Sequence, residues 1–304
     1  MATTPGDLVR LIVHGKAAAD PELREAVLAA RNQGHRLEVR VTWEQGDAAR
    51  FTHEAVAEGA ATVIAGGGDG TLNEVAGAIL AHDIEQRPVL GLVPLGTAND
   101  FAHGAGIPLA PLPALRLALA GPIATVDAGR VNERIFVNMA TGGFGTQLTV
   151  DTPSEQKELL GGFAYLLTGL RRFTSITADY GKVVGPGFNW EGDFLVLAVG
   201  NGSQAGGGHL LCPQARLDNG LLDLRILAGE ELLPTLLERL IDGEEAESVV
   251  SARVPWLTLE TPHPVHLNLD GEPLAGTHFR IEALPGALRF RLPGYCPLLD
   301  RAVG

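Results

Sequence analysis

A chain of 304 residues, 45% hydrophobic and 19% charged, carries ample material for a buried core and fits two domains by length. Whole-chain disorder is excluded, and so is a collagen rod, because the 39 glycines follow no three-residue period. Twenty-three basic residues against 36 acidic ones leave a net charge of -13, which disfavours nucleic-acid binding, and only Cys212 and Cys296 are present, with no C-x-x-C pair for zinc or a disulfide framework.

The stretch Met1 to Asp7 has no basic region leading into an apolar run, so no signal peptide is expected. Apolar runs such as Phe194 to Val199 are far too short to cross a bilayer. A soluble, cytoplasmic protein is the expectation.

The first 127 residues alternate strand and helix patterns. Leu8 to Val13 is an apolar run broken only by Arg10, and reads as a strand buried on both faces. A helix follows, with Asp20 as cap, Pro21 in its first turn, Leu23, Ala26, Val27 and Ala30 on one face, and Gly34 closing it. Leu37, Val39 and Val41 alternate with charged residues and predict a second strand. Ala48 to Glu58 reads as helix, Thr62 to Ala65 as a short buried strand running into glycines, Asn73 to Ala81 as helix, and Val89 to Val93 as strand. Repeated strand–helix units imply a parallel sheet with right-handed crossovers. Pro108, Pro111 and Pro113 precede a short helix around Leu115 to Leu119, and Ala124 to Asp127 reads as extended.

Near residue 127 the pattern changes. Strands are expected at Ile135 to Met139, Phe194 to Val199, Leu222 to Ile226, Leu257 to Leu259, Val265 to Leu269 and Phe279 to Leu284. Together they suggest an antiparallel β domain, interrupted by helices around Ser154 to Arg172 and Glu230 to Ile241.

Two loops carry the chemistry. Gly66-Gly67-Gly68-Asp69-Gly70-Thr71 lies between a buried strand and a helix, where backbone N–H groups and a helix dipole can meet phosphate oxygens. Thr71 breaks a G-x-G-x-x-G dinucleotide fingerprint, and no Walker A run exists. A plain structural turn stays open. Asp69 would repel phosphate unless a cation intervened, which points to Mg2+ with a nucleotide. After the next strand comes Pro94-Leu95-Gly96-Thr97-Ala98-Asn99-Asp100-Phe101, where Asp100 could cap the following helix.

The loop Gly67 to Thr71 with Asn73-Glu74, followed by Gly96-Thr97-Ala98-Asn99-Asp100, resembles the diacylglycerol kinase catalytic-domain family. The likeness extends to a bacterial lipid-kinase branch through Val41-Thr42-Trp43-Glu44, Asn138 to Gly145, Gln204 to Gly208, Leu211-Cys212-Pro213 and Asn268 to Leu274. These segments follow in order along nearly the whole chain. Superfamily members with the same glycine loop include NAD kinases and 6-phosphofructokinases.

The resemblance implies a Rossmann-like α/β nucleotide domain over residues 1–127, completed by about 291–304, and an all-β sandwich over 128–290, with the active site in the cleft between them. It implies an ATP-dependent lipid kinase that uses Mg2+. ATP contacts carry over to Thr42, Gly68, Asp69, Gly70, Thr71, Leu72, Asn73, Glu74 and Thr97. Thr42 could instead only cap a turn. Glu272 carries over as the proton acceptor, with Asp270 close to metal and phosphates. Extended backbone would put these two acids on one face, although Asp270-Gly271 also reads as a hairpin turn. A further magnesium site carries over to the carbonyls of Arg216 and Leu221 and the side chain of Asn219. The family usually has Asp there, so the neutral amide should weaken binding. Asp127 matches an acidic family position and also reads as a strand-end turn residue. Phosphatidylglycerol is the first acceptor the resemblance suggests, diacylglycerol the second; a soluble hydroxyl acceptor and a non-catalytic binding protein are the alternatives. The apolar stripe of 154–172, ended by Arg171 and Arg172, would serve transient contact with the membrane that holds the lipid, or else is core. Oligomeric state is not encoded in any motif.

Overall fold

Leu8–Val13 forms strand β1, and all six of its residues are buried, including Arg10, which interrupts the apolar run and is held by Glu38 at 3.2 Å and Glu58 at 2.6 Å. The computed structural model describes residues 6–143, 178–229 and 248–300. Two units divide the chain: residues up to Asp127 together with those from Pro285 onward, and Ala128–Leu284.

In the first unit, β1 pairs in parallel with β2 (Arg36–Val41) and β3 (Thr62–Gly67), and β3 pairs in parallel with β4 (Val89–Pro94). The order is β2-β1-β3-β4, so β2 is an edge strand. Helix α1 (Pro21–Asn32) begins as its sequence predicts: the Asp20 carboxylate accepts from Leu23 N at 3.0 Å, and Leu23, Ala26, Val27 and Ala30 are buried. Helix α2 (Asp47–Ala57) packs on α3 (Asp69–Leu80). The helix expected after the second loop is α4 (Asp100–Ala105), six residues long, and α5 (Pro111–Ala120) starts four residues before the expected one, with proline at its start. Helices α1 and α5 share a core with Val9, Leu11, Ile64 and Val93.

The second unit is antiparallel. The chain enters it along β5 (Ile123–Val131), then forms β6 (Arg134–Phe136), β7 (Met139–Gly143), β8 (Asp179–Gly185), β9 (Phe188–Gly200), β10 (Leu222–Ala228), β11 (Val249–Val254), β12 (Trp256–Leu269) and β13 (Glu272–Arg291). The strand order is β11-β10-β9-β7-β12-β13. Strand β8 shares with β7 the slot between β9 and β12. Strand β7 leaves that slot at Gly143, opposite Val196, and β8 re-enters it at Asp179, opposite Phe194. Phe136, Phe194, Leu197, Leu224, Leu257, Leu267 and Ile281 fill one core.

Three expectations change. The run Ile135 to Met139 is split into β6 and β7, because the backbone at 137–139 is taken by a carboxylate described below. The two strands foreseen at 257–259 and 265–269 are one strand, β12, whose pairing with β13 shifts between Glu260 and Val265, around Pro262 and Pro264. Strands β8 and β11 were not foreseen. The helices expected at 154–172 and 230–241 lie outside the described residues, as do Phe144 and Gly145.

Candidate functional site

The carboxyl ends of β1 to β4 gather the loops of the first unit. His14 N donates to Gly66 O at 2.8 Å, and Leu95 N to Gly67 O at 2.9 Å. The loops after β3 and β4 touch backbone to backbone: a Cβ on Gly96 would lie 2.5 Å from Gly68 Cα. Only glycine allows that approach. Thr42 Oγ1 accepts from Gly15 N at 3.1 Å, so its hydroxyl holds the turn after β1.

Helix α3 starts at Asp69, four residues before the expected Asn73. Its cap residue Gly68 is extended and offers no side-chain bond to the first-turn amides, unlike Asp20 on α1. Thr71, Leu72 and Asn73 are buried, and Asn73 Oδ1 has no hydrogen-bond partner among the described residues. Gly70 and Glu74 are half-buried; Thr97 is exposed at the second loop.

Asp69 faces a protein partner. Its carboxylate accepts from Asp100 N and Phe101 N, each at 3.0 Å, and so caps α4 from the neighbouring loop. Burial pushes its carboxyl above the ordinary value, the Phe101 amide pulls it down, and the Asp100 carboxylate pushes it up again. The expected cap, Asp100, is instead the first residue of α4, and the cap position is held by Asn99 with φ 52° and no cap bond. Asn99 closes its own loop: Gly96 N donates to its Oδ1 at 2.9 Å, and its Nδ2 donates to Gly96 O at 2.8 Å. Asp127 is not a strand-end turn residue: it is buried in the middle of β5, and its carboxylate accepts from Gly286 N of β13 at 2.8 Å, inside the first unit.

In the second unit, Leu269 pairs with Glu272, so Asp270-Gly271 is a two-residue hairpin with φ 51° and 103°. The expectation of two acids on one extended face is therefore corrected: the turn sends them apart. The Asp270 carboxylate accepts from Val137 N at 2.6 Å, Asn138 N at 3.2 Å and Met139 N at 2.8 Å. Those three amides leave the ladder, which is why β6 and β7 separate. Asn138 extends the network, donating from Nδ2 to Gln204 O at 2.8 Å and receiving Asn201 N and Gly202 N at its carbonyl. Asn201 Nδ2 donates to Val137 O at 2.7 Å. Asn201 was missed as a network residue, and Asn138 was marked only by the motif it opens. Glu272 is different. It is 38% exposed at the side chain, its Oε2 meets Arg134 Nη2 at 3.5 Å, and Arg134 also donates to Pro273 O.

The loop Arg216 to Leu221 offers two backbone carbonyls and the Asn219 amide, whose Oδ1 already accepts from Leu221 N at 2.9 Å. Asp218 beside it is already engaged in an interaction. The Arg216 guanidinium donates to Ala215 O at 2.7 Å. Three neutral donors fit Mg2+ poorly. Among the described residues no group of three or more His, Cys, Asp or Glu side chains is set to hold a metal, and no helix is long and apolar enough to cross a membrane.

Residues 9–131 match the family model "Diacylglycerol kinase catalytic domain", and residues 143–291 match "YegS C-terminal NAD kinase beta sandwich-like domain". A protein of Serratia proteamaculans named "Probable lipid kinase YegS-like" is 54% identical over 292 residues, 96% of each chain. One of the same name from Yersinia pestis is 52% identical over 290 residues, 95% of this chain and 98% of that one. A solved structure named "a putative diacylglycerol kinase from Bacillus anthracis str. Sterne" superposes with a TM-score of 0.82 at 26% identity, over 96% of this chain and 97% of that one. With both family models in order and relatives above half identity over almost their full length, the chain belongs to the diacylglycerol kinase catalytic-domain family of lipid kinases, in the branch that carries a YegS-type β-sandwich.

Proposed function

We infer that the enzyme moves the γ-phosphate of ATP onto a lipid hydroxyl, with phosphatidylglycerol the first acceptor to test and diacylglycerol the second. The observation that carries this is the start of α3: first-turn amides without a side-chain cap, in a glycine loop, beside the buried and partnerless Asn73 Oδ1. Such an array suits the phosphates of a nucleotide, with Gly68, Gly70 and Thr71 lending backbone. Leu72 fills core, so any contribution from it is through backbone. Thr42, Glu74 and Thr97 complete the proposed nucleotide set. Asp69 then holds the array in shape.

Glu272 is the proposed proton acceptor. The acceptor hydroxyl oxygen attacks the γ-phosphorus, the bond from that phosphorus to the β–γ bridging oxygen breaks, ADP leaves, and the hydroxyl proton passes to the Glu272 carboxylate. Arg134 holds Oε2 at 3.5 Å, and Oε1 meets no partner among the described residues. Mg2+ brought with ATP supplies charge neutralisation on the phosphates. Because Arg216, Asn219 and Leu221 form a poor magnesium site, no step runs through them. The parallel order of β1 to β4 supports a Rossmann-like nucleotide domain akin to NAD kinases and 6-phosphofructokinases, spanning 1–127 with the last segment, and a sandwich over 128–290. A cytoplasmic location, where ATP is available, belongs to the same reading.

The test is ATP turnover with phosphatidylglycerol, diacylglycerol and soluble alcohols as acceptors, wild type against Glu272→Gln. Lipid-dependent turnover that falls ~10²–10⁴-fold in the variant, with nucleotide affinity kept, is the expected result. Near-wild-type turnover in the variant overturns the role of Glu272. Turnover with soluble alcohols alone overturns the lipid acceptor.

A further inference from the structure

Along the β2 edge of the parallel sheet lies a groove of about 320 Å³ between α1 and β2, lined by Val13, Leu23, Val27, Leu28, Val39 and Val41. That volume falls within the ~300–1,000 Å³ of small-molecule sites. Its rim is apolar and open. Leu28 is 57% exposed, Val41 44%, and Trp43, two residues beyond, 95%. Two arginines, Arg24 and Arg31, also line it. They stand four residues before and three after Leu28, on the same stripe of α1.

Both arginines are tethered through Nε alone, Arg24 to Ala18 O at 3.4 Å and Arg31 to Leu37 O at 2.9 Å. Neither has a carboxylate partner among the described residues. Their terminal nitrogens stay available to an anion, while the floor between them asks for hydrocarbon. Long-range repulsion from the rest of the chain makes a local cationic patch the means of approaching an anionic surface.

We propose that this groove is the enzyme's membrane contact and takes an anionic phospholipid, its headgroup phosphate on Arg24 and Arg31 and its acyl chain against Val39 and Val41. Trp43 and Leu28 then rest in the interfacial layer, where tryptophan is favoured. This rests on the lipid-kinase reading for its purpose, because an acceptor dissolved in a bilayer has to be approached there. The lipid held here recruits the enzyme and is distinct from the one phosphorylated.

The experiment is co-sedimentation of the full chain with vesicles of phosphatidylcholine, alone or mixed with an equal share of phosphatidylglycerol. Wild type is compared with Arg24→Glu/Arg31→Glu and, separately, with Leu28→Asn at an exposed position. Preferential binding to the anionic vesicles is expected, weakening with salt and falling ~20-fold or more in the double arginine variant. Leu28→Asn should lose binding by ~10-fold through the apolar contact. Turnover on lipid dispersed in neutral detergent micelles should stay at the wild-type level in both variants. Vesicle binding unchanged by both variants overturns the proposal, as does equal binding to neutral and anionic vesicles. A self-association abolished by the variants while vesicle binding persists assigns the groove to a second copy and also overturns it. Groove-dependent vesicle binding without any lipid turnover in micelles supports the docking site while removing the kinase reading, so the two fail separately.

Discussion

The glycine loop of the first unit and the β12–β13 hairpin of the second are each built around an aspartate, and each aspartate is occupied with backbone. Asp69 takes the amides of Asp100 and Phe101; Asp270 takes those at 137–139. The surroundings then diverge. Around Asp69 the first-turn amides of α3 are left without a side-chain cap, so that region offers donors. Around Asp270 the amides are consumed, and what stays open is an acceptor, Glu272. In the proposed function these donors would meet phosphate and that carboxylate would take the proton, so the proposed division of labour rests on where each neighbouring acid is pointed rather than on the acids themselves.

The sharpest way to break this contrast is Asp270→Ala. It leaves three backbone amides without their acceptor and should cost on the order of 3–5 kcal/mol, read as a lower urea midpoint. A near-wild-type midpoint would mean that water replaces the carboxylate. Next comes Gly96→Ala, which forces the two loops of the first unit apart at the 2.5 Å approach. About 1–3 kcal/mol of stability should be lost, with nucleotide affinity reduced and the second unit's hydrogen-exchange protection unchanged.

Asp69→Asn retains one acceptor oxygen for the two α4 amides and should cost about 1 kcal/mol. Its pH dependence is more telling. The Asp69 carboxyl lies above its ordinary 3.8, so the stability tied to its proton is complete below pH 3.8 and is lost as pH rises through the folded-state value. Wild type should therefore lose ground against the asparagine variant over that rise, in paired denaturation curves. The smallest effect belongs to Asp47, whose carboxyl is lowered from 3.8 to about 2, chiefly by the Trp43 amide and then by Arg50. Its stabilisation is present above pH 3.8 and fades as pH falls towards about 2. Asp47→Asn should remove that acid-limb loss and leave neutral turnover unchanged.

Much of the first unit could be read directly. Strands β1, β3 and β4 are buried on both faces, which writes a largely apolar run into the chain, broken in β1 by Arg10, and Asp20 caps α1 from the adjacent residue. Failures came where the deciding partner is distant in sequence. Asp100 looked like the cap of α4, but the capping oxygens come from Asp69, on the previous loop. Nothing local to Val137 and Asn138 says that a carboxylate from Asp270 will draw their amides out of a strand. The family likeness brought Asp270 and Glu272 forward together, and it took the αL backbone of Asp270 to separate them. No motif singles out Arg24 and Arg31, because the lack of a carboxylate partner among the described residues is a property of the folded surroundings.

The slot shared by β7 and β8 has a practical outcome for engineering. Gly143 stands opposite Val196 and Asp179 opposite Phe194, with both strands running the same way along β9. A single residue joining them would make one continuous rung sequence. The ladder along β9 thus fixes Gly143 and Asp179 as two anchor points with the rung at Leu195 between them, and any engineered connection has to keep that spacing to preserve the register of both strands.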